Sequence, residues 1–549
     1  MMQSQVQNIS QAGVLIADDS PLVVANLRIL LSEIGFSHRL IFSAKDIKTI
    51  YKTLEEIAID VFICDYYFSR LLNGKQIYEE CQHLGLLRPE CAVVMLTSET
   101  SADVVHSIVE AEPDDYVVKP YSLFQFKKRI AGVYKRKQTL APLARLPITI
   151  DAEEENRCFE RAKVNFPEYT DSLNRLLGER KLACGIYSEA LAFYQRCAEK
   201  KNSHWVLLGQ VRALIGLNRF TQVQETLNCW TVNTGGKRSA KICDELALAC
   251  LQLNDRKGAK QALDQAVSLS KGEATRLLAY SRLCEMNDDH QDALSGYSIY
   301  RQNIANTHRC GVRSEIDFIR LKLKCAYELA QSVTRSAYQE LQRLVNADLD
   351  GRNELALLLL DVHIELVQSK YKEARTKLVG LLKQFKKLDL MALLYLLYLL
   401  YITDNYYWFS RVAQFVRSHG DYFDESLAGV CLKRLIDTQI ENGQKRQSAL
   451  KRLIAQIDRY EQDSVRKAIS FCLEVFKSRP HCIAVATRLI TLFEREIPPS
   501  IPMTDVRNAI VNCEAALHHS LGMRRSQLID VHQNLKRLKL RFNQMIKAV

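Results

Sequence analysis

The chain has 549 residues, 47% hydrophobic and 25% charged, ordinary values for a soluble globular protein of two to four domains. Its formal charge of +12 is uneven: residues 1–135 hold 13 Lys+Arg against 17 Asp+Glu, a net of −4, so the remainder carries +16. The 16 cysteines show no C-x-x-C pair and no Cys/His cluster at zinc spacing; they read as reduced core thiols, Cys64, Cys184, Cys250 and Cys472 among them, in a cytoplasmic protein.

The first twelve residues are polar, lack the apolar stretch of a signal peptide, and are expected to be disordered. From residue 13 strands and helices alternate. "VLIA" stops at Asp18-Asp19-Ser20-Pro21, where Ser20 and Pro21 suit the start of a helix that Gly35 ends. "RLIFSA" is a second strand, followed by a helix over residues 45–57. "DVFIC" ends on Asp65, "KQIYEECQHLG" is helical, and "CAVVML" ends at Thr97. A helix over residues 101–110, "YVV" before Lys119-Pro120, and a helix over 122–134 complete five strand–helix units. Near-continuous apolar strands suit a parallel sheet covered on both faces, which predicts an α/β doubly wound five-stranded fold.

A lone Asp at a strand end ordinarily starts a turn or caps a helix. Here Asp18-Asp19, Asp65, Thr97 and Lys119 all fall at the C-terminal edge of the predicted sheet, where such folds bind ligands. Three carboxylates in one pocket repel unless a cation sits among them, and oxygen donors with room for water suit Mg²⁺. A lysine and a threonine hydroxyl beside them suit a phosphoryl group, so this set supports phosphorylation of Asp65 itself.

"LIADDSP", "VFICD", "VVMLTSE" and "DDYVVKPYS", in this order, make residues 13–135 resemble a two-component response-regulator receiver domain of flavodoxin-like fold. The resemblance implies that Asp65 accepts a phosphoryl group from a histidine kinase. It implies that Asp19, Asp65 and the carbonyl of Tyr67 ligate Mg²⁺, with Asp18 helping through water. Lys119 would pair with the phosphoryl oxygens across a cis Lys119-Pro120 bond, Thr97 would close on the group, and Tyr116 would move inward with it. The segment "DYYFSRLLNG" departs from the family: Ser69 stands where Pro is common, and Gly74 lies nine residues after the acceptor rather than eight. Tyr67 is expected to shield the acyl phosphate from water. Glu112-Pro113 before "DDY" is a smaller departure.

Two prolines and a composition shift predict a linker over residues 136–151. Beyond it, residues 152–549 show only amphipathic helical patterns with an irregular internal repeat. Gly178, Gly185, Tyr187, Ala190, Tyr194 and Cys197 resemble a tetratricopeptide (TPR) repeat, in which a small residue lets two helices approach and aromatics fill the gap between repeats. Partial copies include Phe220/Val223, Ala259/Leu263/Ala266, Ala293/Tyr297, Tyr371/Ala374 and Ala468/Pro480. An all-α TPR-like solenoid is therefore expected, with a helical bundle as the alternative. "LMALLYLLYLLYI" is too short to span a membrane, and its Tyr395, Tyr398 and Tyr401 read as packing between repeats.

No nucleotide-binding loop, metalloprotease motif or hydrolase elbow appears, so no enzymatic output beyond the receiver's own phosphoryl chemistry is expected. The His518-His519 pair is too weak a signal for a metal site. The expected function is phosphorylation-controlled protein binding. Two alternatives stay open: nucleic-acid binding by the basic region, and a receiver that inhibits another kinase–regulator pair or drains phosphate from it.

Overall fold

The computed structural model describes residues 9–69, 71–98, 101–201, 203–233, 239–329, 335–348, 350–368, 370–418, 425–480, 482–517 and 525–548. The chain divides into two compact units, Met1–Tyr280 with Ile299–Cys310, and Ser281–Ser298 with Gly311–Val549.

The first unit opens with five parallel strands, β1 (Val14–Ala17), β2 (Ile41–Ala44), β3 (Val61–Asp65), β4 (Ala92–Thr97) and β5 (Asp115–Val118), in the order β2-β1-β3-β4-β5. Helices α1 (Pro21–Ile34), α2 (Ile47–Glu56), α3 (Gly74–His83), α4 (Ala102–Ala111) and α5 (Leu123–Ala144) cover it. Strand side chains alternate between faces. Val14, Ile16, Ile63 and Val94 pack with Leu27 and Leu31 of α1 and Phe126 and Ile130 of α5. Leu15, Phe62, Cys64 and Met95 pack on the other face with Ile50, Ile77 and Ile108 from α2, α3 and α4. Burial on both faces explains why β1, β3 and β4 read as unbroken apolar runs.

Three expectations are corrected. Ile9–Gln11 form a 3₁₀ turn and Ala12 is fully buried, so residues 9–12 are ordered; Ile9 packs against the core that holds Ala12. Strand β2 is shorter than "RLIFSA", because His38–Leu40 form a 3₁₀ turn before it. Helix α5 continues past residue 134 into the segment read as a linker, with Pro142 inside it. An internal proline costs a helix roughly 3 kcal/mol. Opposing that cost, Leu143 is buried in one cluster with Phe159, Leu173 and Leu177.

After β5 the described residues hold no further strand. They form α6 (Ala152–Asn165), α7 (Thr170–Ala183), α8 (Tyr187–Lys200), α9 (His204–Gly216), α10 (Phe220–Asn233), α11 (Ala240–Gln252), α12 (Arg256–Leu269), α13 (Ala274–Met286), α14 (His290–Asn303) and α15 (Val312–Glu328). Then come α16 (Arg335–Ala347), α17 (Glu354–Val367), α18 (Tyr371–Leu382), α19 (Leu390–Ile402), α20 (Tyr406–Ser418), α21 (Leu427–Asp463), α22 (Val465–Ser478), α23 (Ile483–Arg495), α24 (Met503–Leu517) and α25 (Arg525–Ala548). This all-helical remainder is consistent with a solenoid. The 37-residue α21 breaks the short-hairpin pattern. No described helix is long and apolar enough to cross a membrane. His518-His519 lies outside the described residues.

The clearest repeat has a steric basis. Tyr194 of α8, 1% exposed, fills the space between α7 and α9. A Cβ on Gly178 would lie 2.5 Å from its ring, and one on Gly209 would lie 2.1 Å from it. In the second unit, Glu285 of α13 is fully enclosed and takes both Arg320 (2.6 and 2.9 Å) and Lys324 (3.1 Å) from α15. Burial, with Arg320 and Lys324 nearby, pushes His363 of α17 down to about 3, so it is neutral, and its Nδ1 lies 2.9 Å from the Tyr395 hydroxyl. Tyr398 donates to Glu328 at 2.8 Å. Tyr395 and Tyr398 are thus core residues with polar partners, not an open stripe.

Gly209→Ala overpacks the Tyr194 slot and is expected to cost about 1–3 kcal/mol in denaturant unfolding. An unchanged midpoint would mean that Tyr194 does not hold these helices together.

Candidate functional site

The parallel register sets Ala17 of β1 beside Cys64 of β3, Asp65 beside Leu96 of β4, and Thr97 beside Val118 of β5. Asp18, Asp65, Thr97 and Lys119, each one residue beyond a pair in this register, therefore emerge on one edge. Asp18, 3% exposed, follows β1; its Oδ1 accepts the Ser20 backbone N–H at 2.9 Å. This bond shapes the entry to α1, where Ser20 sits at the cap position without making a side-chain cap.

Lys119 joins the carboxylates. Its Nζ lies 2.7 Å from Asp65 Oδ1 and 3.3 Å from Asp18 Oδ2. Its backbone N–H donates to Thr97 O at 2.7 Å, and the peptide bond to Pro120 is cis. The second oxygen of Asp65 accepts the Tyr67 N–H at 3.2 Å. Burial raises the Asp65 carboxyl above its ordinary value and Asp18 adds to this, while Lys119 and the Tyr67 N–H oppose it. Burial would lower Lys119, but Asp65 and Asp18 together hold it raised.

The other expected residues take separate positions. Asp19 is exposed beside Asp18. Thr97 is fully buried at the end of β4. Tyr116 is partly buried against the α2–α4 side of the core. Tyr67 is 49% exposed, with its ring edge-on to Tyr66. The side chains of Asp18, Asp65 and Lys119 are joined by direct bonds, and Tyr67 and Thr97 join them through the backbone; Asp19 follows β1 and Tyr116 lies within β5.

The altered loop after Asp65 is built, not merely longer. Ser69 Oγ accepts the N–H groups of Leu71 (3.2 Å) and Leu72 (3.1 Å), so its hydroxyl closes the turn. Asn73 and Gln76 then form a reciprocal capping box at the start of α3. Gly74 is required by close approach: a Cβ there would sit 2.6 Å from the Asp65 carbonyl oxygen. Ser69's role went unread in the sequence, although a serine in a turn is the usual signal for it.

A carboxyl raised above its ordinary 3.8 binds a proton more tightly in the folded state than in the unfolded state. Stability on its account therefore falls as pH rises from 3.8 through the folded value. Asp65→Asn removes that cost. It should unfold at a higher denaturant midpoint than wild type at neutral pH, with the gap closing at acid pH. An equal or lower midpoint at pH 7 would refute the reading that burial of the Asp65 carboxylate costs stability.

Comparison with known proteins bears on residues 14–131, which match the response regulator receiver domain family. Response regulator RR06 of Streptococcus pneumoniae serotype 2 (strain D39 / NCTC 7466) is 22% identical over 140 residues, 25% of this chain and 61% of that protein. A receiver domain protein from Clostridium thermocellum is 25% identical, covering 24% of this chain and 98% of that one, TM-score 0.21. The MaeR response regulator, solved bound to beryllium trifluoride, is 25% identical over 23% of this chain and 99% of its own, TM-score 0.16. Residues 14–131 are a response regulator receiver domain, followed in this chain by a long region that is helical throughout its described residues.

Proposed function

We propose that Asp65 accepts a phosphoryl group from the phosphohistidine of a histidine kinase, and that the receiver's phosphorylation state controls protein binding by the TPR-like helical region. One observation carries this reading: a lysine ammonium shared by a buried carboxylate, Asp18, and a largely buried one, Asp65, at the C-terminal edge of the receiver sheet.

An Asp65 oxygen attacks phosphorus, the phosphorus–nitrogen bond breaks, and its electron pair returns to the donor imidazole. Lys119, already on Asp65, is placed to follow the charge onto the phosphoryl oxygens. The donor set is all hard oxygen and carries more negative charge than Lys119 cancels, which fits Mg²⁺. Asp19, Asp65 and the Tyr67 carbonyl would hold the ion, with Asp18 acting through water, and it would supply charge neutralisation at the transferring group. Thr97 and Tyr116 would carry the change away from the site, and Tyr67, half exposed beside Asp65, would shield the acyl phosphate.

A switch from 1:99 to 99:1 needs a bias of about 5.5 kcal/mol; a smaller one tunes binding. The test is capture from native cytosol by wild type and Asp65→Asn, each with and without beryllofluoride plus Mg²⁺. A protein retained by only one state of wild type, with no such difference in Asp65→Asn, is expected. Identical partners in every lane would contradict phosphorylation control and favour a phosphate-draining receiver; nucleic acid alone would favour the basic-surface alternative. Tyr67→Ala is expected to shorten the phosphoryl lifetime.

A further inference from the structure

Helices α3 and α4 of the receiver lie against α7, α11, the start of α13 and the α12–α13 and α14–α15 connections of the same compact unit. The contact is polar and charge-matched. Glu110, near the end of α4, takes Arg276 Nη2 on one oxygen (2.8 Å) and the Ser270 hydroxyl on the other (2.6 Å). Arg276 is 1% exposed and also bonds Asp244 at 2.7 Å. Two residues on, Glu112 takes Arg175 (2.8 Å) and Lys241 (2.6 Å). It stands at φ 54, in the left-handed region that seldom holds a glutamate. Glu80 of α3 receives the His308 backbone N–H at 3.0 Å and lies 2.6 Å from its Nδ1.

The fit is also steric. A Cβ on Gly272 would lie 2.5 Å from Ser107 Oγ of α4, so α4 comes as near as a glycine allows. Lys75 of α3 donates to the Gly272 carbonyl at 2.6 Å. The Ser69 loop takes part, since Leu71 O accepts Asn306 Nδ2 at 3.2 Å. The unusual Glu112-Pro113 pair and the lengthened loop after Asp65 both meet the helical region.

We infer that the helical-region surface bearing Arg175, Lys241 and Arg276 is a recognition site for acidic protein segments with two carboxylates two residues apart, and that the receiver's Glu110-Ala111-Glu112 is its built-in occupant. The cations fix the chemistry: guanidinium groups and an ammonium, one of them buried beside a serine hydroxyl, select carboxylates. A polar, ion-paired contact also suits a reversible occupant better than an apolar one would. Charges buried in it recover hydration on release, which offsets their lost pairing. Release of the occupant by phosphorylation rests on the function proposed above; the surface itself does not.

The test uses the full chain and a fluorescent peptide of residues 104–115, VVHSIVEAEPDD, with a control carrying Gln at both Glu positions. Wild type, whose site is filled, should bind the acidic peptide at least about tenfold more weakly than Glu110→Gln/Glu112→Gln. The Gln peptide should bind that open variant about tenfold or more weakly than the acidic one, and adding Arg175→Glu and Lys241→Glu should abolish binding. Glu112→Gln alone, at a half-exposed position, gives the same ordering if the double variant fails to fold. Equal binding of both peptides, or binding that survives loss of Arg175 and Lys241, overturns the proposal. If open variants bind the acidic peptide but beryllofluoride on wild type does not raise binding, the surface stands and phosphorylation control falls. If beryllofluoride changes wild-type partners while open variants ignore the acidic peptide, the reverse holds.

Discussion

One cation holds the receiver's working edge together. Lys119 lies within bonding distance of Asp65 and Asp18, both largely buried. Neither carboxylate would tolerate that burial unpaired, because a desolvated charge without a partner costs several kcal/mol. The pairing requires β1, β3 and β5 to end at matched heights, which the parallel register provides. It also requires Gly74, since any side chain there would collide with the Asp65 carbonyl. The site is therefore a product of the whole sheet. Its raised Asp65 carboxyl is poised because the charge is only partly compensated.

Local pattern made much of this legible. Strands buried on both faces leave uninterrupted apolar runs, and each run that ended on Asp18, Asp65, Thr97 or Lys119 marked one point on the edge. Gly178 and Tyr194 announced a helix pair because a close approach and the ring that fills it must recur at fixed spacing. Other features left no such trace. The extension of α5 through Pro142 depends on Leu143 entering a core built from distant helices. Gly443, inside α21, is where Phe409 packs: a Cβ there would lie 2.1 Å from the ring. Glu112-Pro113 stood out in the sequence as a departure, but its partners Arg175 and Lys241 lie 63 and 129 residues away, beyond any periodic signal.

The helical region uses buried charge as a fitting device as well as apolar packing. In the first unit Arg276 links Asp244 to Glu110; in the second, Glu285 gathers Arg320 and Lys324. Such groups add little net stability, yet removal of one member leaves the others desolvated. In the first unit the same chemistry reaches across to the receiver, so the chain's acidic N-terminal part and its basic remainder meet through matched pairs.

Under the proposed function, chemistry at Asp65 is felt where α4 meets the helical region. Amide hydrogen exchange, with and without beryllofluoride plus Mg²⁺, reads this most directly. Altered exchange is expected in α4 and in residues 270–276 of wild type, absent from Asp65→Asn. Changes confined to the strand ends around Asp65, or the same in both proteins, would contradict it.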